Sequence, residues 1–386
     1  MRLLHTSDWH IGRTFHGRDR LPEQERVLTG LAELVADEGV DVVVVSGDLY
    51  DRAVPSGEAV EVCQRVLAAL RAAGATLVMI PGNHDSASRL GAFADFAAVG
   101  GLHVLTRISR LHEPVVLADD HGPVACFGIP YLDPDPARHH LGLVGGGHRG
   151  HIAVLTEAMD RVRDAVARLP PTTRTVVLAH AFVTGGQASE SERPISVGGV
   201  EQVPGSVFDG VDYVALGHLH GPQVLADHLR YSGSPLAYSF SEAAHRKSVW
   251  IVDLDADGLA GVRSHALPVP RPLATVSGPL AELLADEELT VLEEHYLSAT
   301  LTDPVRPLDA MRRLQRRFPH AVHLEWRPEG GPAQERLNYS SAVRGRDDRE
   351  VTASFLAHCR GAGPSESEAA LIEEALTETA GGRELA

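Results

Sequence analysis

The chain has 386 residues and only three cysteines, enough length for two to three domains and far from the cysteine density of a disulfide-stapled scaffold. Its 35 basic and 52 acidic residues leave a net charge of −17, which on bulk electrostatics disfavours a nucleic-acid partner unless bound cations intervene. Cys63, Cys126 and Cys359 show no C-x-x-C spacing, the opening residues lack the apolar core of a secretory signal, and no apolar run approaches the length of a membrane span. The expectation is a soluble, cytoplasmic protein with no membrane partner. Of the 35 basic residues only Lys247 is a lysine, which reads as compositional bias.

As far as about Asp253, apolar runs alternate with short motifs rich in Gly, Asp and His and with amphipathic helices, the pattern of a layered α/β fold. Strands are predicted at Arg2–Thr6, Val40–Ser46, Thr76–Ile80, Thr175–Ala179 and Tyr213–Leu216, with a hairpin-like pair at Pro114–Leu117 and Val124–Ile129. Glu23–Asp37 and Val60–Leu70 carry apolar residues at helical spacing. Asp133–Gly150, with His139, His140 and His148, reads as a solvated loop. Pro268, Pro270 and Pro272 stiffen an extended linker and set a domain boundary. Beyond it, strand, helix and strand at Tyr296–Leu301, Leu308–Phe318 and Val322–Trp326 predict a small α+β unit. In its helix Leu308, Met311, Leu314 and Phe318 share one face, and Arg312, Arg313, Arg316 and Arg317 share the other, a candidate phosphate-backbone contact. Helical stretches at Val351–Cys359, with Phe355, and at Glu366–Thr377, with Leu371, Ile372 and Leu376, flank a Gly361–Pro364 break. Their apolar residues call for a partner surface.

Five motifs sit at the ends of predicted strands: Asp8-Trp9-His10, Gly47-Asp48, Gly82-Asn83-His84-Asp85, His180, and Gly217-His218-Leu219-His220. Any one alone is a turn or a hydrogen-bonded histidine. Ligands of open α/β sheets gather outside the carboxyl ends of strands, and together these residues form an oxygen and nitrogen donor set suited to borderline-hard metals. Seven candidates, Asp8, His10, Asp48, Asn83, His180, His218 and His220, are too many for one ion. Two ions sharing a bridging carboxylate carry more positive charge than Asp8 and Asp48 offset, so the centre attracts a phosphodiester despite the acidic chain. Such a pair activates water for in-line attack at phosphorus. His84, not needed as a ligand, is free to contact a non-bridging oxygen or protonate the leaving group.

In this order the motifs resemble the calcineurin-like metallophosphoesterase superfamily. The strings His5–Gly12, Ser46–Ser56, Ser232–Pro235 and Ser239–Glu242 are similar to those of bacterial SbcD-type nucleases, Mre-type partners of the SMC-like ATPase SbcC. The similarity covers about residues 1–250. The resemblance implies two central β-sheets flanked by helices, a smaller α+β capping domain and C-terminal helices. It divides the chain into residues 1–265, 273–345 and 350–380. It further implies that Asp8, His10 and His220 bind a first metal, that Asp48 bridges, and that Asn83, His180 and His218 bind a second. The metals would be manganese, or alternatively magnesium, and His84 the catalytic histidine.

By the same resemblance the cap and its arginines bind DNA, the tail docks on the ATPase, and helices of the phosphoesterase domain pair two copies, giving a heterotetramer acting on DNA ends and hairpins. The implied activity is exonuclease on double strands and endonuclease on single strands and hairpins, in replication, recombination and repair. The alternatives are a small-substrate phosphodiesterase or phosphatase on the same metals, which has no evident need of the arginine face or tail, and a non-catalytic scaffold, which a complete ligand set argues against.

Overall fold

A strand buried on both faces reads as an unbroken apolar run, and β2 (Val42–Ser46) is such a strand. Its residues divide with period two: Val43 and Val45 pack under the helices, whereas Val42 and Val44 face a second sheet. The computed structural model describes residues 1–143, 150–192, 202–328, 345–360 and 363–383. His148 and residues 329–344 of the predicted cap lie outside that description. The chain divides into two units, Met1–Pro270 and Arg271–Ala386.

In the first unit β1 (Arg2–Thr6) pairs in parallel with β2, β2 with β3 (Thr76–Ile80) and β3 with β4 (Leu102–Val104). The second sheet has the order β5-β6-β7-β8-β10-β9, built from β5 (Val115–Asp119), β6 (Gly122–Ile129), β7 (Arg174–His180), β8 (Tyr213–Gly217), β9 (Gln223–Ala226) and β10 (Leu229–Tyr231). The chain then returns to the first sheet as an antiparallel hairpin, β11 (Ser248–Asp255) and β12 (Gly258–Ala266), with β11 against β1. Leu3, Val44, Val78, Cys126, Val176, Leu178, Tyr213 and Val252 fill the layer between the sheets.

Helices cover both outer faces, completing four layers. Over the first sheet lie α1 (Leu21–Glu38), which ends on the left-handed Gly39, and α2 (Gly57–Ala72), whose Ser56 side chain caps the Ala59 amide. Two short helices follow β3, α3 (Ala87–Leu90) and α4 (Ala94–Val99). Over the second sheet lie α5 (Pro134–Leu141) and α6 (His151–Val166). Helix α5 corrects the reading of Asp133–Gly150 as a solvated loop. Pro134 fits a helix first turn, and Ala137 and Leu141, one turn apart, are buried in the second core, a signal that the nearby histidines and glycines obscured.

In the second unit β13 (Leu273–Gly278), β14 (Tyr296–Leu301) and β15 (Ala321–Trp326) form a parallel sheet, joined through α7 (Leu280–Ala285) and α8 (Ala310–Arg317). Leu280, Leu283, Leu297, Leu301, Leu314 and Phe318 make its core. Helix α8 is shorter than expected. Asp309 has a left-handed backbone at its start, which leaves Leu308 outside the helix and 88% exposed rather than on the apolar face. Two further helices, Asp348–Arg360 and Glu366–Arg383, complete the unit and are joined by an Arg349–Glu373 ion pair of 2.9 Å. No helix among the described residues is long and apolar enough to cross a membrane.

Candidate metal centre

The five motifs meet because the carboxyl ends of β1, β2 and β3 abut those of β7 and β8. Small residues permit the approach: a Cβ on Gly217 would lie 1.9 Å from the Ser46 carbonyl oxygen, and one on Gly82 2.2 Å from Asp48 Oδ1. The loops are strained as well as close. Six non-glycine residues among those described have positive φ, and Asp8 (54°), His10 (45°), Asp48 (52°) and His218 (107°) are four of them. Left-handed backbone at non-glycine residues costs of order 1–3 kcal/mol each and persists where surrounding contacts enforce it. Here they do: the Asp8 amide donates to the Gly47 carbonyl, the His10 amide to that of Asp48, and the His218 amide to Asp8 Oδ1, each at 3.0 Å. Gln24 of α1, fully buried, donates to the His10 carbonyl at 2.7 Å.

Donor atoms converge in two groups. Asp8, His10 and His220 come together in one, with His10 Nε2 3.0 Å from His220 Nε2. In the other, Asn83 Oδ1 lies 2.9 Å from His180 Nε2 and 3.3 Å from His218 Nδ1. Asp48 stands between them, its Oδ2 3.6 Å from His10 Nε2 and 3.5 Å from His180 Nε2. His84 is part of the same cluster: His10, Asp48 and His84 also bring ligand atoms within 4.8 Å of one another. The His84 Nδ1 lies 2.8 Å from the Asp51 carbonyl, and its amide donates to Asp48 Oδ1 at 2.8 Å, so Nε2 is the ring nitrogen left for chemistry.

The electrostatics fit divalent cations. Burial, and after it the charge of Asp48, push the Asp8 carboxyl well above the ordinary range. Burial first, then neighbouring histidines, hold His10 and His218 well below theirs, and burial also lowers His180, which keeps these imidazoles in the neutral form that metals bind. His10 Nδ1 and Asn83 Nδ2 are buried without hydrogen-bond partners. Two buried carboxylates in mutual repulsion, ringed by neutral imidazoles whose lone pairs face each other, form a donor set that bound cations satisfy.

Several residues of the centre carried no assignment in the sequence reading. Asp85 accepts hydrogen bonds from the amides of Leu49, Tyr50 and Gly82, tying the loops after β2 and β3 together. Burial and Asp48 together push its carboxyl up to about 7. Asp51 orients His84. Behind His220 lie Ser191, Glu242 and Lys247, all buried. The lone lysine of the composition is the available signal, and composition alone presents it as bias.

The remaining predicted residues belong to the second unit. Arg312, Arg313 and Arg316 of α8 are exposed. Arg317 is engaged within the unit: its guanidinium donates to the carbonyls of Leu283, at 3.0 Å, and Asp286, and stacks on the Phe318 ring. In the tail helices Phe355 and Leu371 are exposed, and Ile372 and Leu376 are partly buried.

Comparison with known proteins agrees with this architecture. Residues 1–222 match the calcineurin-like phosphoesterase family, and residues 269–360 match the SbcD C-terminal family, described as the type 5 capsule protein repressor C-terminal domain. The chain belongs to the calcineurin-like phosphoesterase family, and with the SbcD C-terminal domain following in the same chain it is of the SbcD type. It is thereby a hydrolase of phosphoesters, with a His/Asp cluster suited to two divalent metals.

Among solved structures, a dimetal phosphatase from Danio rerio is 14% identical, with 69% of this chain and 99% of that chain covered at a TM-score of 0.35. A family 1 β-glucosidase from Thermotoga maritima is 10% identical, with coverages of 84% and 82% and a TM-score of 0.19. Scores this low establish no common fold.

Proposed function

We propose that the chain is the nuclease subunit of an SbcC–SbcD-type complex, hydrolysing DNA phosphodiester bonds at ends and hairpins with two Mn²⁺ ions. The observation that carries this reading is one chain joining seven converging donors, Asp8, His10, Asp48, Asn83, His180, His218 and His220, to an SbcD C-terminal domain. When bound, the cations supply Lewis acidity, offsetting phosphoryl charge and acidifying water. The protein supplies placement. Asp48 holds the two donor groups together, and the left-handed turns at Asp8 and His10 fix the first. The Asp51 carbonyl accepts the His84 Nδ1 proton, so it is the protonated ring that offers an Nε2 proton to a non-bridging oxygen or to the leaving alkoxide, returning to the neutral Nδ1–H form as it does so.

Exposed side chains support the assembly. On and beside α4, Phe93, Phe96 and Val99 are 78%, 83% and 90% exposed at three-residue spacing, an apolar face fit for pairing two copies. Phe355 and Leu371 of the tail, with Ile372 and Leu376, suit docking on the SMC-type ATPase, giving a cytoplasmic heterotetramer for replication, recombination and repair. Arg312, Arg313 and Arg316 offer the DNA backbone a cationic face in a chain whose net charge is −17.

The test is cleavage of linear double-stranded and hairpin DNA with Mn²⁺, with and without the ATPase and ATP, beside a generic aryl phosphodiester. Cutting of DNA at a rate or to a product that the ATPase changes upholds the proposal. Hydrolysis of the aryl ester alone under every condition assigns the centre to small phosphodiesters instead.

A further inference from the structure

His220 approaches the metal centre with one ring nitrogen, Nε2, and is held from behind by the other. Its Nδ1 lies 2.5 Å from Ser191 Oγ, and the Ser191 hydroxyl donates to Glu242 Oε1. Glu242 Oε2 in turn pairs with the Lys247 ammonium. Lys247 spends its other two protons on the His220 carbonyl, at 2.8 Å, and on Ser234 Oγ, at 2.9 Å. A second acid closes the cage, as Glu192 Oε1 accepts the His220 amide at 2.8 Å. Ser191, Glu242 and Lys247 are 6%, 1% and 3% exposed.

The proton arrangement follows from the Ser191 hydroxyl giving its proton to Glu242 rather than to Ser189 Oγ, which lies 3.0 Å away. A serine that donates to the carboxylate must accept from the imidazole, so Nδ1 carries the proton and Nε2 keeps its lone pair. We propose that Lys247, Glu242 and Ser191 form a positioning relay that sets the His220 tautomer and ring orientation for metal binding. This rests on reading His220 as a ligand. Carboxylates behind a ligating histidine commonly act in this way, and here a serine is interposed.

Lys247 has a structural reason to be a lysine in a chain whose other basic residues are all arginines. Its three acceptors surround a compact ammonium, and a planar guanidinium fork does not match that arrangement. The lysine grips His220 twice, directly at its backbone oxygen and through Glu242 and Ser191 at its ring.

The experiment is calorimetric titration of the metal-free full-length protein with Mn²⁺, comparing wild type with Ser191→Ala, Ser191→Thr and His220→Ala, with thermal unfolding as a check on folding. Ser191→Ala removes the relay without leaving a buried charge. It is expected to weaken one of two Mn²⁺ sites by about 10–100-fold and leave the other unchanged in a protein that still unfolds cooperatively, its midpoint lowered only by the loss of the buried serine hydrogen bonds, while Ser191→Thr restores binding. If Ser191→Ala binds both ions as tightly as wild type although His220→Ala loses one, the relay is wrong and the ligand reading stands. If His220→Ala also binds both ions normally, the ligand reading itself fails. Lys247→Arg, folded by the same check, is expected to follow Ser191→Ala, and wild-type binding there overturns the argument for an ammonium.

Discussion

Strands β1 and β7 have carboxylates beside both of their ends, partly exposed at the starts and buried at the carboxyl ends, and the two ends are balanced in opposite ways. At their starts, the Asp119 carboxylate meets the Met1 ammonium and the Arg174 guanidinium, so the chain provides its own counter-charge. At their carboxyl ends Asp8 and Asp48 meet neutral imidazoles and each other. The same sheets therefore carry one end that is electrostatically closed and one that needs cations from outside. The sign of the local imbalance marks the carboxyl ends as the place for chemistry.

The largest expected effect separates donors that hold cations from the side chain that moves a proton. His84→Gln is expected to lower DNA cleavage by about 10²–10⁴-fold while two Mn²⁺ ions still bind in calorimetric titration. Loss of an ion in that variant moves His84 into the ligand set that its position near His10 and Asp48 also permits.

Helix α8 repeats the contrast between closed and open charge with arginines. Arg317→Ala strips two backbone carbonyls of their donor and is expected to cost about 1–3 kcal/mol in unfolding, with DNA affinity of the folded protein unchanged. Arg312→Ala with Arg316→Ala is expected to do the reverse. Its unfolding should be unaltered, with DNA affinity about tenfold weaker and the salt slope reduced by about two. Unchanged affinity and slope in the double variant make that face a solvated helix surface.

How much of this was legible in the sequence follows from how each feature is enforced. The convergence of the candidate donors was legible because the approach of the loops demands particular residues in sequence order: Gly82 and Gly217 where a Cβ would collide, and aspartate or histidine at the strand ends. The two-sheet architecture came from the resemblance, while the split of each apolar run between two cores emerges only once the strands are paired. The β11–β12 hairpin joins β1 across more than two hundred residues, beyond any local pattern. Helix α5 was hidden because glycines and histidines dominate its surroundings. The engagement of Arg317 was illegible because its acceptors are backbone carbonyls at Leu283 and Asp286, far away in the chain. Lys247 was visible as a singular residue, but its meaning lies in the three acceptors that folding gathers around it.

The last comparison sets the two strand ends against each other directly, in metal-free protein kept with chelator. The Arg174 guanidinium, ahead of the opposing effect of burial and with help from the N-terminus, holds the Asp119 carboxyl well below its ordinary range. A depressed folded-state pKa stabilises fully above the unfolded value, near 4, and that contribution fades as pH falls through the folded value. Asp8 carries the opposite sign. Its raised pKa makes the folded state less stable as pH climbs above about 4, since ionisation is penalised where Asp48 is already close. Asp119→Asn is therefore expected to cost about 1–3 kcal/mol at neutral pH and progressively less in acid. Asp48→Asn is expected to leave the metal-free protein at least as stable as wild type at neutral pH, because it removes the repulsion while an amide oxygen still accepts the His84 amide. Urea unfolding across the acid range reads both. A loss of stability in Asp48→Asn as large as that in Asp119→Asn would mean that the carboxyl ends, like the starts of the strands, are balanced by the chain itself.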